Sequence, residues 1–233
     1  MIPRTLIDST EIAGGGTLRL VRRGEEWSIT LANNELMNSR TSGSEVALAT
    51  LGCAPVALRP APRILIGGLG MGFTLRAALS VLPADAVVEV AELVPAVVTW
   101  ARGPLAALHG DGLVDPRTRL FEGDVLVPIR AARAGYDAIL LDVDNGPDGL
   151  SRAGNDALYT DVGLRAAAAA LRPGGVLAVW STAPDAGFVR RMAAAGFAVT
   201  EHVVRANGLR GGARHIVWIG VRGQSTAASE RVT

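Results

Sequence analysis

The sequence predicts an α/β protein: a doubly wound, mostly parallel sheet preceded by a small N-terminal β-hairpin region. Three observations carry that expectation. From Arg63 onward, apolar runs of strand length alternate with helical stretches, as in parallel sheets built from right-handed crossovers. A glycine-rich turn, Gly67-Gly-Leu-Gly-Met-Gly72, follows the first of these runs. Acids stand at the ends of three of them: Glu92, Asp124 and Asp142.

Taken in order, Thr17 to Arg23 and Trp27 to Ala32 are β-like runs joined by Gly24-Glu-Glu26, which reads as a hairpin. Two strands alone are marginally stable, so this piece must pack on the main domain or on a second subunit. Ser44 to Leu51 is expected to be helical, and Arg59-Pro-Ala-Pro-Arg63 to be a stiff linker. Strands are then expected at Arg63–Ile66, Val87–Ala91, Thr118–Phe121, Asp137–Leu141 and Gly175–Trp180. Helices are expected at Phe73–Leu82, Pro95–Leu105, Val127–Ala134 and Asp161–Leu171, the last stopped by Arg172-Pro-Gly-Gly175. Phe197–Arg205 and Arg214–Val221 read as a closing antiparallel pair. The division that follows is an N-terminal region (1–60), a main domain (61–223) and a small, polar, frayed tail (224–233).

Composition removes several function classes. The formal net charge is +1, which gives no electrostatic case for nucleic acid or an acidic membrane. All 23 basic residues are arginine, so a lysine Schiff base and a phosphate-binding GK[ST] loop are excluded. A single cysteine, Cys53, excludes an internal disulfide framework and a cysteine-rich zinc site. Met1-Ile-Pro-Arg opens no signal-peptide core, and no apolar run is long enough to span a bilayer. A soluble, cytoplasmic chain is expected.

The glycine turn and the acids point to a nucleoside. Gly67, Gly68, Gly70 and Gly72 let backbone approach a ligand, and the following helix start offers free N–H groups. Glu92 ends the second core strand, where a carboxylate accepts hydrogen bonds from a ribose diol. A dinucleotide fingerprint would need glycine at position 73, which is Phe73. The spacing suits a ligand without a pyrophosphate, such as S-adenosylmethionine. Asp124 is placed to accept from an adenine amino group, and Asp142 lies toward the reacting end of the ligand. Each acid also has a plainer reading as a helix cap or loop residue.

These segments together resemble the spermidine/spermine synthase-like family. Gly68-Leu-Gly-Met-Gly-Phe-Thr-Leu-Arg76 looks like its G-G-G-D-G-G-T-L-R signature, and Val90-Ala-Glu92-Leu-Val-Pro like its V-E-I-D segment. Glu122-Gly-Asp124-Val125 resembles its G-D-A adenine contact. Tyr136-Asp-Ala-Ile-Leu-Leu-Asp142-Val-Asp-Asn145 is similar to Y-D-V-I-I-V-D-S-T-D, and Gly43-Ser-Glu45, Leu158-Tyr-Thr160 and Leu171-Arg-Pro-Gly-Gly175 fit as well. The resemblance covers roughly residues 17 to 220. It implies a class I S-adenosylmethionine-dependent methyltransferase fold and a role in polyamine biosynthesis. It further implies catalysis by Asp142, with cofactor contacts from Gly67, Gly68, Gly70, Gly72, Glu92, Asp124, Val125 and Asp142, and substrate contacts from Asp144 and Asn145.

The departures from the pattern bear on the reaction. Met71 stands where the family carries the aspartate that binds the amine of decarboxylated S-adenosylmethionine. Leu48 and Ala49 occupy its Tyr-His positions, and Asn145 replaces its second aspartate. A dicationic acceptor needs paired carboxylates, so methyl transfer from intact S-adenosylmethionine to a small-molecule acceptor is the favoured expectation. Aminopropyl transfer to a polyamine and a non-catalytic nucleoside-binding module are the alternatives. No metal is expected: Asp142, Asp144, Asn145 and Asp148 offer oxygen ligands, but Ala153 stands where a calcium loop needs glutamate. His109, His202 and His215 read as surface or loop residues, His215 in a strand able to reach the crevice. The exposed hairpin with Trp27 is compatible with a homodimer.

Overall fold

The computed structural model describes residues 2–12, 15–32, 34–143 and 156–223. Four N-terminal strands, β1 (Thr5–Glu11), β2 (Thr17–Arg23), β3 (Glu26–Leu31) and β4 (Asn34–Asn38), form an antiparallel meander in that order. Helix α1 (Gly43–Cys53) leads to the main sheet. Its elements run β5 (Arg63–Gly67), α2 (Phe73–Val81), β6 (Val87–Glu92), α3 (Pro95–Arg102), α4 (Ala106–His109), β7 (Thr118–Glu122), α5 (Leu126–Ala131) and β8 (Tyr136–Leu141). They continue with α6 (Asp156–Tyr159), α7 (Asp161–Ala170), β9 (Leu171–Ser181), α8 (Ala186–Ala194), β10 (Phe197–Arg205) and β11 (Arg214–Arg222).

The seven strands lie in the order β10-β11-β9-β8-β5-β6-β7. Strands β9, β8, β5, β6 and β7 are mutually parallel, and β11 runs antiparallel to both β9 and β10. The fold class read from the sequence is therefore the one observed. The chain builds outward from β5 to β7, then crosses back to place β8 on the other side of β5. That reversal is the switch point at which open α/β sheets bind ligands.

The central strands are apolar on both faces because helices cover both. Ile64, Ile66, Val88, Val90, Ala138 and Leu140 face one core, packed by α1, α2 and α3 through Leu48, Leu75, Val98 and Trp100. Leu65, Ile139, Leu141, Leu177 and Val179 face the other, packed by α5, α7 and α8 through Ile129, Leu164, Phe188 and Met192. Leu18, Leu20 and Ile29 of the meander belong to the first core. About 25 cal/mol per Å² of buried apolar area fastens the N-terminal sheet to the main one. Near the start of β8, the fully buried Asp137 is held by Arg59 at 2.9 Å, Arg172 at 2.7 Å and the Arg63 N–H at 2.8 Å.

Three differences from the sequence reading have local causes. The hairpin is half of a four-stranded sheet: β1 is exposed along nearly its whole length and β4 is short, so neither shows a buried alternation. The helix expected to run to Leu105 stops at Arg102, because Pro104 lacks an N–H and restricts Gly103 before it. Helix α8 was not anticipated. Asp185 caps it, accepting from the Gly187 and Phe188 N–H groups at 2.7 and 2.9 Å.

Candidate functional site

The glycine turn sits at the C-terminal edge of β5, and its shape is set by two close approaches. Gly68 has φ +92° and a Cβ there would lie 2.3 Å from the Asp142 carbonyl oxygen. Gly72 has φ +78° and a Cβ there would lie 2.2 Å from His109 Nδ1. Both conditions demand glycine. Backbone bonds tie the turn to its neighbours: Gly68 N–H donates to Ala91 O at 2.8 Å, and Asp142 N–H to Gly67 O at 2.9 Å.

This registry brings the three acids to one crevice, since their strands are neighbours in the order β8-β5-β6-β7. Glu92 is buried and accepts from the Leu69 N–H through Oε2 and from the Val94 N–H through Oε1, both at 2.9 Å. Its carboxylate is thus fixed beneath the turn by backbone donors. Asp124 accepts from the Leu126 N–H at 2.8 Å, the short local bond of a helix-entry turn. It performs the capping job that the plainer reading gave it, while still facing the crevice. A cavity of about 120 Å³ is lined there by Gly68, Gly70, Glu92, Asp124, Val125 and Asp142, roofed by Leu31 and Met37 of the N-terminal sheet.

A second cavity, of about 420 Å³, adjoins the first. Leu36, Met37, Gly70, Asp142 and Val143 line both. Ser44 and Glu45 of α1, Met71, Phe73, Trp180 and His215 complete its wall. Asp142 Oδ2 accepts from Thr74 Oγ1 at 2.6 Å. Burial and repulsion from Glu45 push the Asp142 carboxyl up to about 7, against the weaker pull of the Thr74 bond. Burial raises Glu45 in the same direction. Two carboxylates facing one space hold a proton readily, or accept a cation between them. Glu35 also borders this cavity, but it is paired with Arg40 at 3.0 Å.

The sequence-predicted residues are therefore distributed unevenly. Gly68, Gly70, Glu92, Asp124, Val125 and Asp142 converge on the crevice. Gly67 and Gly72 line neither cavity. Gly67 packs against Val125 and Val143, and Gly72 caps α2 above His109. Asp144, Asn145 and Asp148 lie outside the described residues. His109 is not a surface residue: it is 1% exposed, and burial pushes its imidazole down to about 4. His215 is half-buried, with its ring 4.8 Å from that of Trp180. Sequence reasoning noted Ser44 and Glu45 without giving them a task. Among the described residues no cluster of three or more His, Cys, Asp or Glu is arranged for a metal. No helix among them is long and apolar enough to cross a membrane.

A glycine turn and an acid-lined crevice at the switch point of a seven-stranded, mostly parallel sheet make up a methyltransferase-like fold. Comparison with known proteins narrows this. No family model matches the chain. It is 31% identical over 130 residues to a polyamine aminopropyltransferase of Sulfolobus acidocaldarius, covering 56% of this chain and 42% of that one. It is 31% identical over 151 residues to a polyamine aminopropyltransferase of Mycobacterium tuberculosis, covering 60% and 28%. The matched region thus spans less than half of those relatives' length. The spermidine synthase structure from Thermotoga maritima superposes with a TM-score of 0.71 at 20% identity, over 94% of this chain and 73% of that one. A spermidine synthase bound to the transition-state analogue AdoDATO gives 0.70 at the same identity and coverage. In sequence the matched region resembles polyamine aminopropyltransferases, and in fold the chain resembles spermidine synthases.

Proposed function

We propose that the chain is a group-transfer enzyme of the aminopropyltransferase type, with decarboxylated S-adenosylmethionine as donor and an amine as small-molecule acceptor. The observation that supports this over methyl transfer is the second cavity, where Glu45 and Asp142 share one space beside the nucleoside crevice. A cationic amine entering that space relieves the repulsion between the two carboxylates. The likeness to polyamine aminopropyltransferases points the same way.

In this reading Glu92 holds the ribose, and Asp124 with Val125 flanks the adenine. The ammonium of the acceptor gives one proton to the carboxylate pair. The freed nitrogen lone pair then attacks the propyl carbon next to sulfur. The N–C bond forms, the C–S bond breaks, and sulfur keeps the electron pair as neutral methylthioadenosine. The product is a secondary ammonium, and one proton is left on the enzyme. Positioning and proton acceptance by Asp142 are the protein's share.

Met71 favours a second reading. It is 2% exposed and offers no charge to repel the carboxylate of intact S-adenosylmethionine. Methyl transfer would then use the same crevice. The test is incubation with each nucleoside and a panel of amines, followed by mass spectrometry. Methylthioadenosine formed only from the decarboxylated donor supports the first reading, and S-adenosylhomocysteine supports the second. Nucleoside binding with neither product would mark a non-catalytic module.

A further inference from the structure

Ser44 joins its neighbour Glu45 to His215, which lies 171 residues from Ser44 along the chain. Its Oγ is 2.7 Å from Glu45 Oε2 and 3.0 Å from His215 Nδ1. Ser44 is 1% exposed, and the Trp180 ring packs edge-on against the imidazole. Ser44 has one proton to donate, so the chain of bonds has two arrangements. With Glu45 ionised, Ser44 donates to Glu45 and the imidazole Nδ1–H donates to Ser44. With Glu45 protonated, Glu45 donates to Ser44 and Ser44 donates to a bare Nδ1. Exchange between them carries one proton from one end to the other while every heavy atom stays in place.

We propose that Glu45, Ser44 and His215 form a proton relay along the wall of the acceptor cavity. The proposal rests on the transferase reading, which leaves one proton on the carboxylate pair at each turnover. That proton passes from Glu45 to Ser44 Oγ as the Ser44 proton passes to His215 Nδ1, and the resulting imidazolium loses a proton to water. No oxidant, metal or second substrate is needed for the balance. His215 and Ser44 touch no reacting atom, so they are positioning and relay residues.

The surroundings suit the task. Burial pushes Glu45 above its ordinary value and His215 below its own, which brings their proton affinities together, as a relay requires. The charged groups on the elements around His215 include Glu45 on α1, Asp142 and Glu35 on the same cavity, Glu201 and Arg205 of β10, and Arg214 and Arg222 of its own strand. Glu35 is paired with Arg40, and Arg205 donates to the Gly212 carbonyl at 3.2 Å. Through Ser44, Glu45 is the acid bonded into the imidazole.

The experiment follows the His215 imidazole by NMR titration of the whole chain, its signal assigned by loss in H215Q. Glu45→Gln is expected to lower the proton affinity of His215 by about threefold or more, roughly half a pKa unit. In a Ser44→Ala background the same substitution is expected to move His215 by much less. Equal shifts with and without Ser44, or no shift at all, would overturn the relay. This readout needs no turnover, so it decides the proposal even if no acceptor is found. Where turnover is measured, S44A and H215Q are expected to lower kcat with donor KM unchanged, Ser44→Thr to retain it, and added imidazole buffer to rescue S44A. A fall confined to KM, or no rescue, would count against the relay.

Discussion

Asp142→Asn removes a carboxylate that burial and Glu45 both drive toward its protonated form. The group titrates near 7 when folded, against an ordinary value of 3.8. Between these values the folded chain binds more protons than the unfolded one, so this group lowers stability as pH rises from about 4 through 7. Three pKa units correspond to about 4 kcal/mol, which is a ceiling. The site opens on a cavity and shares its repulsion with Glu45, so screening leaves about 1–2 kcal/mol. Asparagine keeps an oxygen for the Thr74 hydroxyl, now 2.6 Å away. The variant is therefore expected to be more stable than the parent by about 1–2 kcal/mol near pH 8.5, and equal to it near pH 4. That gain is about 2–8 °C in Tm for a chain of this size. Urea denaturation at both pH values measures it. Glu45→Gln should give a similar gain, and the double variant less than the sum. A variant less stable than the parent at pH 8.5, with no pH dependence, would refute the reasoning, since Asp142 would then be a stabilised anion.

Other substitutions separate binding from folding. Glu92→Ala removes the acceptor for the Leu69 and Val94 N–H groups; it should cost about 1–3 kcal/mol and abolish nucleoside-induced protection in a thermal-shift assay. Gly68→Ala places a methyl against the Asp142 backbone; urea midpoints should show a loss of about 2 kcal/mol or more, and calorimetry a weakened nucleoside. Asp137→Ala leaves Arg59 and Arg172 without their buried partner, an expected loss of about 3–5 kcal/mol with affinity per folded molecule unchanged. Met71→Asp should shift relative affinity toward the decarboxylated nucleoside by about tenfold or more through repulsion of the other's carboxylate, read by competition binding.

How much of this was legible in the sequence depended on distance along the chain. The crevice was, because strand, glycine turn, helix and Glu92 fall within thirty consecutive residues, Arg63 to Glu92, and each has a local signal. The parallel core was legible for the same reason: both faces of β5, β6 and β8 are covered, so each reads as a mostly apolar run without polar alternation. Strands β1 and β4 were not, because exposed or very short strands carry no alternation. His109 was misread since it lies among glycines and a proline that suggest surface, whereas its ring fills the space that Gly72 leaves. The Ser44–His215 contact has no sequence signal. It arises because α1 packs on the sheet beside β9 and β11, which only the tertiary fold arranges.

The most direct measurement is calorimetric titration of the chain with decarboxylated S-adenosylmethionine, intact S-adenosylmethionine and methylthioadenosine, repeated on Glu92→Ala. Saturable binding of a sulfonium nucleoside by the parent, lost in the variant while its fold persists by circular dichroism, is the predicted result. No heat from any of the three with a folded parent, or undiminished binding by the variant, would contradict it.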